Sequence, residues 1–491
     1  MEKILNGTAS VLPKTAAEFR DLITRDEKPG DGKKLNARER LTALFDDGTF
    51  TEIGAFTVRR RDSEEAPASD PEGVLTGYGS VDGCLVYAFA QDLQRTKGAV
   101  SDATADKIER LYRLAVGNGC PVVGCFDSAG ADLVSGVRAL AAYGRIMKAV
   151  GAASGIVPQI AVVNGIAQGA SAVIAAMFDF VIVTEDSTLS VNPAFVVGGG
   201  KAADSVEAGV ASFREKTDAD ALKRARDLLG LLPSNNEEGT VEREAGDDPD
   251  RQTDLSAYKA SRAAADLLKE IGDAGSFLSV GADTAPSVLT GFLTLDGTVC
   301  GVVATDRSVN GGKLTSLAAR KAAKFLSFCD CFSVPVLTAV DSEGFSISGE
   351  EEKNPYCSEI AKLAGAYASA KIPLVTLVSG AAYGSVFSVL GSKSIGADLV
   401  LALDSAKIGC MSPASAVALL ENDKVSGKVS RESLEAEWET EKLNVLHAAR
   451  AGEIDDIVEE AELRQRLISA VLMLSGKASA APKRRHANMP L

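Results

Sequence analysis

VLTGYGSVDGCLVYAFAQD, residues 74–92, returns 214 residues later as VLTGFLTLDGTVCGVVATD, residues 288–306. At the same offset CPVVGCFDSAG (120–130) matches VPVLTAVDSEG (334–344), setting Pro121 against Pro335, Asp127 against Asp341 and Gly130 against Gly344. At an offset of 215, VPQIAVVNGIAQGASAVIAA (157–176) matches IPLVTLVSGAAYGSVFSVLG (372–391), pairing Gly165 with Gly380 and Gly169 with Gly384. FDFVIVTEDSTLSVNP (178–193) then matches ADLVLALDSAKIGCMSP (397–413) with a small change of length. Four blocks in one order at nearly one spacing mean a duplicated domain, since the period far exceeds that of solenoid repeats.

Each copy alternates short apolar runs with helix-like stretches. VVGCF, QIAVV and FVIVT in the first half, and VLTAV, LVTLV and LVLAL in the second, suit a buried and mostly parallel sheet. ADKIERLYRLAVGNG, which starts acidic and ends in glycine, and LTSLAARKAAKFLSFCD read as helices between them. The fold class expected is α/β in two tandem domains. The stretch 216–256, with PSNNEEG and AGDDPDRQTD, reads as the connection between copies, which places the domains at 1–255 and 256–491. The closing SGKASAAPKRRHANMPL reads as an extended arm.

Composition narrows the function classes. The chain has 491 residues, enough for two or three cores, and carries 52 Lys and Arg against 67 Asp and Glu, a net charge of −15 that repels nucleic-acid phosphates. The opening MEKILNGTASVLPK lacks the apolar core of an export signal, and no run reaches eighteen apolar residues, so a cytoplasmic protein is expected. The eight cysteines are scattered through apolar stretches and read as mostly buried, reduced thiols; no metal site is expected. The two histidines are His447, in a helical stretch and read as packed or capping, and His486 in the terminal arm, so a histidine-rich metal site is excluded.

Two matching turns, 166–171 (IAQGAS) and 381–386 (AAYGSV), carry the chemical argument. Each follows an apolar strand and precedes a helix, so amides at the helix start point outward unpaired, as an oxyanion hole requires. Small residues there let a carbonyl approach the backbone. Asp127 and Asp341 form another matched pair, each read as capping the segment that follows it.

DGCLVYAFAQD, CPVVGCFDSAGA, GIAQGAS, then VDSEGF, GAAYGS and the closing HANMPL resemble the carboxyltransferase β subunits of biotin-dependent acyl-CoA carboxylases, and the related subunits of sodium-pumping acyl-CoA decarboxylases. The resemblance runs from about Asn36 to Leu491. It implies tandem crotonase-like (ClpP/crotonase) domains, with an acyl-CoA on the N-terminal copy and biotin on the C-terminal copy of another subunit. It implies that Gly169 and Ala170 stabilise a thioester enolate, while Gly384, Ser385 and Val386 face the biotin ureido oxygen. Gly130, Ala131, Gly344, Phe345 and Tyr383 are implied as binding residues. Proximity and two anion holes then suffice without a histidine base, because biotin that has lost its carboxyl group is itself basic. Lys97 beside Gly98, and Lys201 after the Gly198–Gly200 run, combine a cation with flexible backbone and are expected to meet CoA phosphates. Arg59–Arg61 reads as a solvated loop.

The sequence departs from the family pattern at several positions: Ala129 replaces a glycine and Asp132 an arginine, Gly169-Ala170 stands for a double glycine, Ser212 replaces a histidine, and Ser388 an aspartate that influences acyl specificity. The implied partners are a biotin carboxyl carrier protein with a biotin carboxylase, or membrane subunits of a decarboxylase, in a homo-oligomer with sites between subunits. A scaffold that keeps the fold without catalysis is an alternative reading. A crotonase-type hydratase or thioesterase would need positioned acid and base carboxylates that the sequence does not display.

Overall fold

The computed structural model describes residues 15–25, 27–58, 71–425 and 428–477. The chain divides into two compact units, 1–238 and 239–491. The division falls earlier than residue 255 because 239–255 is anchored to the second unit: Glu242 bridges to Thr298, and the Thr253 amide bonds the Ala461 carbonyl. Much of the expected connector is also structured within the first unit. Helix Asp218–Leu229 buries Ala221, Leu222, Ala225 and Leu228, and the Arg40 guanidinium reaches its first residue, Asp218, at 2.9 Å.

The two units repeat one plan. In the first, strands run in the order Thr51–Glu52, Val74–Val81, Cys84–Gln91, Val122–Phe126, Gln159–Val163, Phe180–Thr184 and Phe213–Glu215. The hairpin of Val74–Val81 with Cys84–Gln91 is antiparallel, and the sheet is parallel from Cys84–Gln91 onward. The second unit matches it, with the hairpin Val288–Leu295 and Thr298–Thr305 followed by parallel strands Val336–Ser342, Leu374–Tyr383, Leu399–Leu403 and Asp456–Val458. Both hairpins turn on Asp-Gly, with positive φ at Asp82 and Gly83 and at Asp296 and Gly297. That is the two-residue turn whose twist matches the flanking strands.

Helices Asp102–Asn118 and Ser316–Cys331 fill the crossover after each hairpin, and Gly119 closes the first in a left-handed conformation. The central parallel strands Val122–Phe126, Gln159–Val163 and Phe180–Thr184 are buried on both faces, which explains the apolar runs without alternation, whereas Phe213–Glu215 and Asp456–Val458 each keep an exposed residue. Phe89, Phe126 and Phe178 pack edge to face in the first core; in the second, Phe292 meets Phe328 edge-on and Phe325 at a tilt.

The cysteines depart from expectation. Cys120, Cys125, Cys300 and Cys329 are buried, whereas Cys84, Cys331, Cys357 and Cys410 are exposed; all are free thiols. Burial pushes the Cys125 and Cys300 thiols up to about 12, which keeps them inert. His447 lies in helix Val445–Arg450 but is exposed rather than packed. No helix among the described residues is long and apolar enough to cross a membrane. Arg59–Arg61, His486 and the terminal arm from 478 lie outside the described residues.

Candidate active site

The carboxyl ends of the parallel strands carry the turns singled out from sequence. In the first unit, strand Gln159–Val163 runs on through Ile166–Gln168, which pairs in parallel with Thr188–Ser190. At the end of that strand Gly169 takes φ 60° and ψ −127°, and helix Ala170–Ala176 begins. In the second unit Leu374–Tyr383 pairs with Lys407–Gly409, Gly384 takes φ 68° and ψ −153°, and helix Ser385–Val389 begins. Only glycine holds such a conformation without strain, which accounts for its recurrence in both halves.

The amides of these glycines are not free. Gly169 donates to the Ser190 carbonyl at 3.0 Å and Gly384 to the Gly409 carbonyl at 2.8 Å. Both glycines therefore shape their turns, and the expectation that their own N–H groups face a reactant is corrected. The amides that follow, of Ala170 and Ser171 and of Ser385 and Val386, find no acceptor among the described residues, and no side chain caps either helix. Ala170 is half-buried and Ser385 exposed, so solvent or a ligand reaches both turns.

A second turn lies alongside in each unit. The Ser128 amide bonds the Ile166 carbonyl at 2.8 Å, which brings 128–131 against the first hole strand. Ser342 pairs in register with Ala382, and a Cβ on Gly344 would stand 3.5 Å from the Tyr383 carbonyl. These turns are themselves fixed: Ser128 and Ser342 hydroxyls accept from the Gly130 and Gly344 amides, and Val100 and Leu314 amides bond the Gly130 and Gly344 carbonyls. The amides of Ala131 and Phe345 are left without an acceptor among the described residues. Each unit thus presents unpaired donors from two adjoining turns.

Other expected residues fall around these turns. Lys97 is exposed on a tight turn whose carbonyl accepts the Ala129 amide, so it stands beside 128–131. Lys201 follows Gly200, whose carbonyl bonds the Leu189 amide next to Ser190. The glycine run is no open phosphate cradle, because the Asp204 carboxylate already accepts from the Gly200 and Lys201 amides. Tyr383 is buried against Ala381 and Leu443 with Trp438 packed alongside, so its ring supports the turn from below. Burial and the nearby Glu439 push its phenol up. Phe345 is half-buried and meets Tyr356 edge-on.

The departures have local explanations. Asp132 is 4% exposed and accepts from the Ser135 hydroxyl at 2.6 Å and the Val134 amide at 3.2 Å. Its charge is spent on closing its own turn. Ser212 is half-buried and its amide bonds the Val181 carbonyl. Ser388 is exposed and borders an open cavity of about 400 Å³ lined also by Phe387, Ser392, Ser394, Ile395 and Glu453.

Asp127 and Asp341 do not cap the segment after them. Asp127 Oδ1 accepts the Ile166 amide, and Asp341 Oδ1 the Ala381 amide, 39 and 40 residues further along. The cations that meet them, Arg40 and Lys34 in the first unit and Arg262 and Arg307 in the second, were not legible as partners from sequence.

Residues 30–489 match the carboxyl transferase domain family. The chain belongs to that family. It is 35% identical to the carboxyltransferase subunit of propionyl-CoA carboxylase from Haloferax mediterranei, over 94% of each chain. It is also 35% identical to the alpha subunit of methylmalonyl-CoA decarboxylase from Propionigenium modestum, over 96% of each chain. Among solved structures, transcarboxylase 12S with methylmalonyl-CoA and methylmalonic acid bound matches with a TM-score of 0.87 at 30% identity, covering 93% of both chains. The duplicated units are therefore crotonase-type domains, and the chain is a carboxyltransferase of the biotin-dependent acyl-CoA carboxylase and decarboxylase class.

Proposed function

We propose that this carboxyltransferase moves a carboxyl group between biotin on a separate carrier protein and a short acyl-CoA of the acetyl, propionyl or methylmalonyl class. The first unit takes the thioester, its oxygen meeting the Ala170 and Ala131 amides. The second takes the biotin ureido oxygen at the Ser385, Val386 and Phe345 amides. The observation that carries this reading is the recurrence, in both halves, of a left-handed glycine with its own amide tied down and the next amides left open. A transfer between two carbonyl compounds develops negative charge on an oxygen of each, and preorganised main-chain donors stabilise that charge most where water is excluded.

The residues of the second turn fit biotin. A neutral ureido oxygen is an acceptor, and the turn offers only donors, from the exposed start of a short helix. When carboxylated on its carrier, biotin supplies the carboxyl group, and on release of that group it supplies the base. The chain's part is to hold both reactants, orient them and hold charge on their oxygens. Lys97, exposed beside the first turn and without an ion pair among the described residues, is the better placed of the two lysines for a CoA phosphate; Lys201 is the lesser candidate because its neighbouring amides are engaged.

A homo-oligomer, with sites completed between copies, accompanies this reading. Leu133, Val134, Val137 and Leu140 in the first unit, and Ile347, Leu419 and Leu420 in the second, are large apolar side chains more than half exposed. A partner surface would remove them from water. The equal resemblance to a carboxylase subunit and a decarboxylase subunit keeps two settings open, a cytoplasmic biotin carboxylase partner or membrane decarboxylase subunits.

The test is transfer of labelled carboxyl from methylmalonyl-CoA or malonyl-CoA to a biotinylated carrier. Label recovered on the carrier, and returned to propionyl-CoA or acetyl-CoA, supports the proposal. No transfer with any of the acyl-CoAs would favour a non-catalytic scaffold. Co-purification of a biotin carboxylase or of membrane subunits then assigns the direction.

A further inference from the structure

Beneath each proposed hole lies a buried carboxylate. Asp127 and Asp341 are each 1% exposed, 214 residues apart in sequence. Each is fixed at its own amide by the preceding strand, Asp127 by Gln91 Oε1 at 3.1 Å and Asp341 by Thr305 Oγ1 at 2.7 Å. Each then reaches across to the neighbouring strand, where one oxygen accepts a single amide: Ile166 at 3.2 Å and Ala381 at 2.8 Å. In both units that amide lies four residues before the first open amide of the turn, Ala170 or Ser385. The glycine just before it is crowded by the same carboxylate, since a Cβ on Gly165 or Gly380 would run into Asp127 or Asp341.

The compensating charges differ between the copies. Asp127 is met by Arg40, itself 2% exposed and bridging to Asp218, and by Lys34 at 3.5 Å. Asp341 is met by Arg262, by Arg307 at 3.3 Å, and by the Tyr258 hydroxyl at 2.8 Å, which also bonds Ser379. Cations from unrelated positions converge on the same carboxylate, while the bond from carboxylate to hole strand is identical. The shared feature is the tie to the strand.

We propose that Asp127 and Asp341 are positioning residues, each locking the strand end that aims one set of hole amides. This rests on the carboxyl-transfer reading above and adds to it which buried groups set the geometry. A misplacement of about 1 Å in such a site costs on the order of 100-fold in rate. Both carboxylates are buried and engaged by protein groups, so binding constants should move little.

The experiment uses the full chain with Asp127→Ala, Asp127→Asn, Asp341→Ala and Asp341→Asn, together with Tyr258→Phe, which removes one bond to Asp341 and keeps its charge. The expected result is a fall in kcat of about tenfold or more for the alanine variants with KM within about twofold, partial rescue by asparagine, whose Oδ1 still accepts the amide, and a smaller loss for Tyr258→Phe. Amide hydrogen exchange should accelerate at 381–386 in the Asp341 and Tyr258 variants and at 166–171 in the Asp127 variants, with 374–378 and 159–163 unchanged. Folded variants with wild-type kcat and wild-type exchange at those turns would overturn the proposal. Exchange is read without turnover, so a wild-type protein that transfers no carboxyl group would count against the carboxyl-transfer reading, while the exchange pattern still decides the tie.

Discussion

Lys107 and Lys321 stand at the same place in the two halves, and each buries its ammonium against the carbonyl that opens its unit's hairpin. Lys107 Nζ donates to Val74 at 2.5 Å, and Lys321 Nζ donates to Val288 at 2.7 Å and also to Gly281 and Thr284. Duplication has preserved a cation placed under a strand end, where it satisfies carbonyls that the ladder leaves open.

This pair predicts a pH dependence of stability. Burial pushes Lys107 down to about 8 and Lys321 to about 7, against roughly 10.4 in an unfolded chain. Between those values the folded state holds fewer protons than the unfolded one, so this contribution to stability rises with pH from about 7 to about 10. Chemical denaturation of wild type and of Lys321→Met should diverge by about 1–3 kcal/mol over that window, the variant gaining less as pH rises. Parallel curves would show that Lys321 keeps its ordinary titration in the folded chain.

Gly165 and Gly380 should reject even a methyl group. Alanine at either site presses on a buried carboxylate, and at Gly380 also on the Arg262 guanidinium. Overpacking of this kind costs about 1–3 kcal/mol. Gly151→Ala is the control, since its Cβ would meet only the Met177 methyl at 3.6 Å. Thermal melts should separate the two hole-strand variants from that control.

Arg464 is fully buried in the second unit and has its charge balanced by Asp273 at 2.5 Å, with further bonds to the Ile271 and Asp248 carbonyls. Removing one partner of such a pair leaves the other charged in the interior and costs about 3–5 kcal/mol. Arg464→Ala is expected to lower the unfolding free energy from chemical denaturation by that amount. Arg466 touches half-exposed carboxylates, and Arg466→Ala should change the unfolding free energy by less than about 1 kcal/mol.

The duplication made the architecture legible. Matched Asp-Gly hairpins, matched apolar strands and matched glycine turns gave an α/β tandem because each repeats a local preference that tertiary contacts reinforce. The boundary was less legible, since the polar stretch 239–255 looks like a linker yet is held by distributed contacts such as Arg251 to Glu270 and Thr253 to Ala461. At the site, the turn was readable and the individual donor was not. Whether Gly169 or Ala170 offers a free amide depends on the Ser190 carbonyl, which a later strand supplies. The family resemblance implied Tyr383 as a binding residue; its ring packs with Leu443 and Trp438. The Asp127–Gly165 and Asp341–Gly380 pairs were visible as aligned residues, but nothing local told that each aspartate sits under its glycine.

The most direct test of the two-hole account deletes one N–H at a time. Ala170 and Ser385 are each the first residue of a helix, where proline is tolerated because its fixed φ suits the position and no intrahelical bond is lost. Turnover of labelled carboxyl between methylmalonyl-CoA and a biotinylated carrier should fall about 100- to 1,000-fold in Ala170→Pro and in Ser385→Pro, with melting temperature preserved. Folded proline variants that turn over at the wild-type rate would contradict the claim that these main-chain amides hold the charge of the reaction.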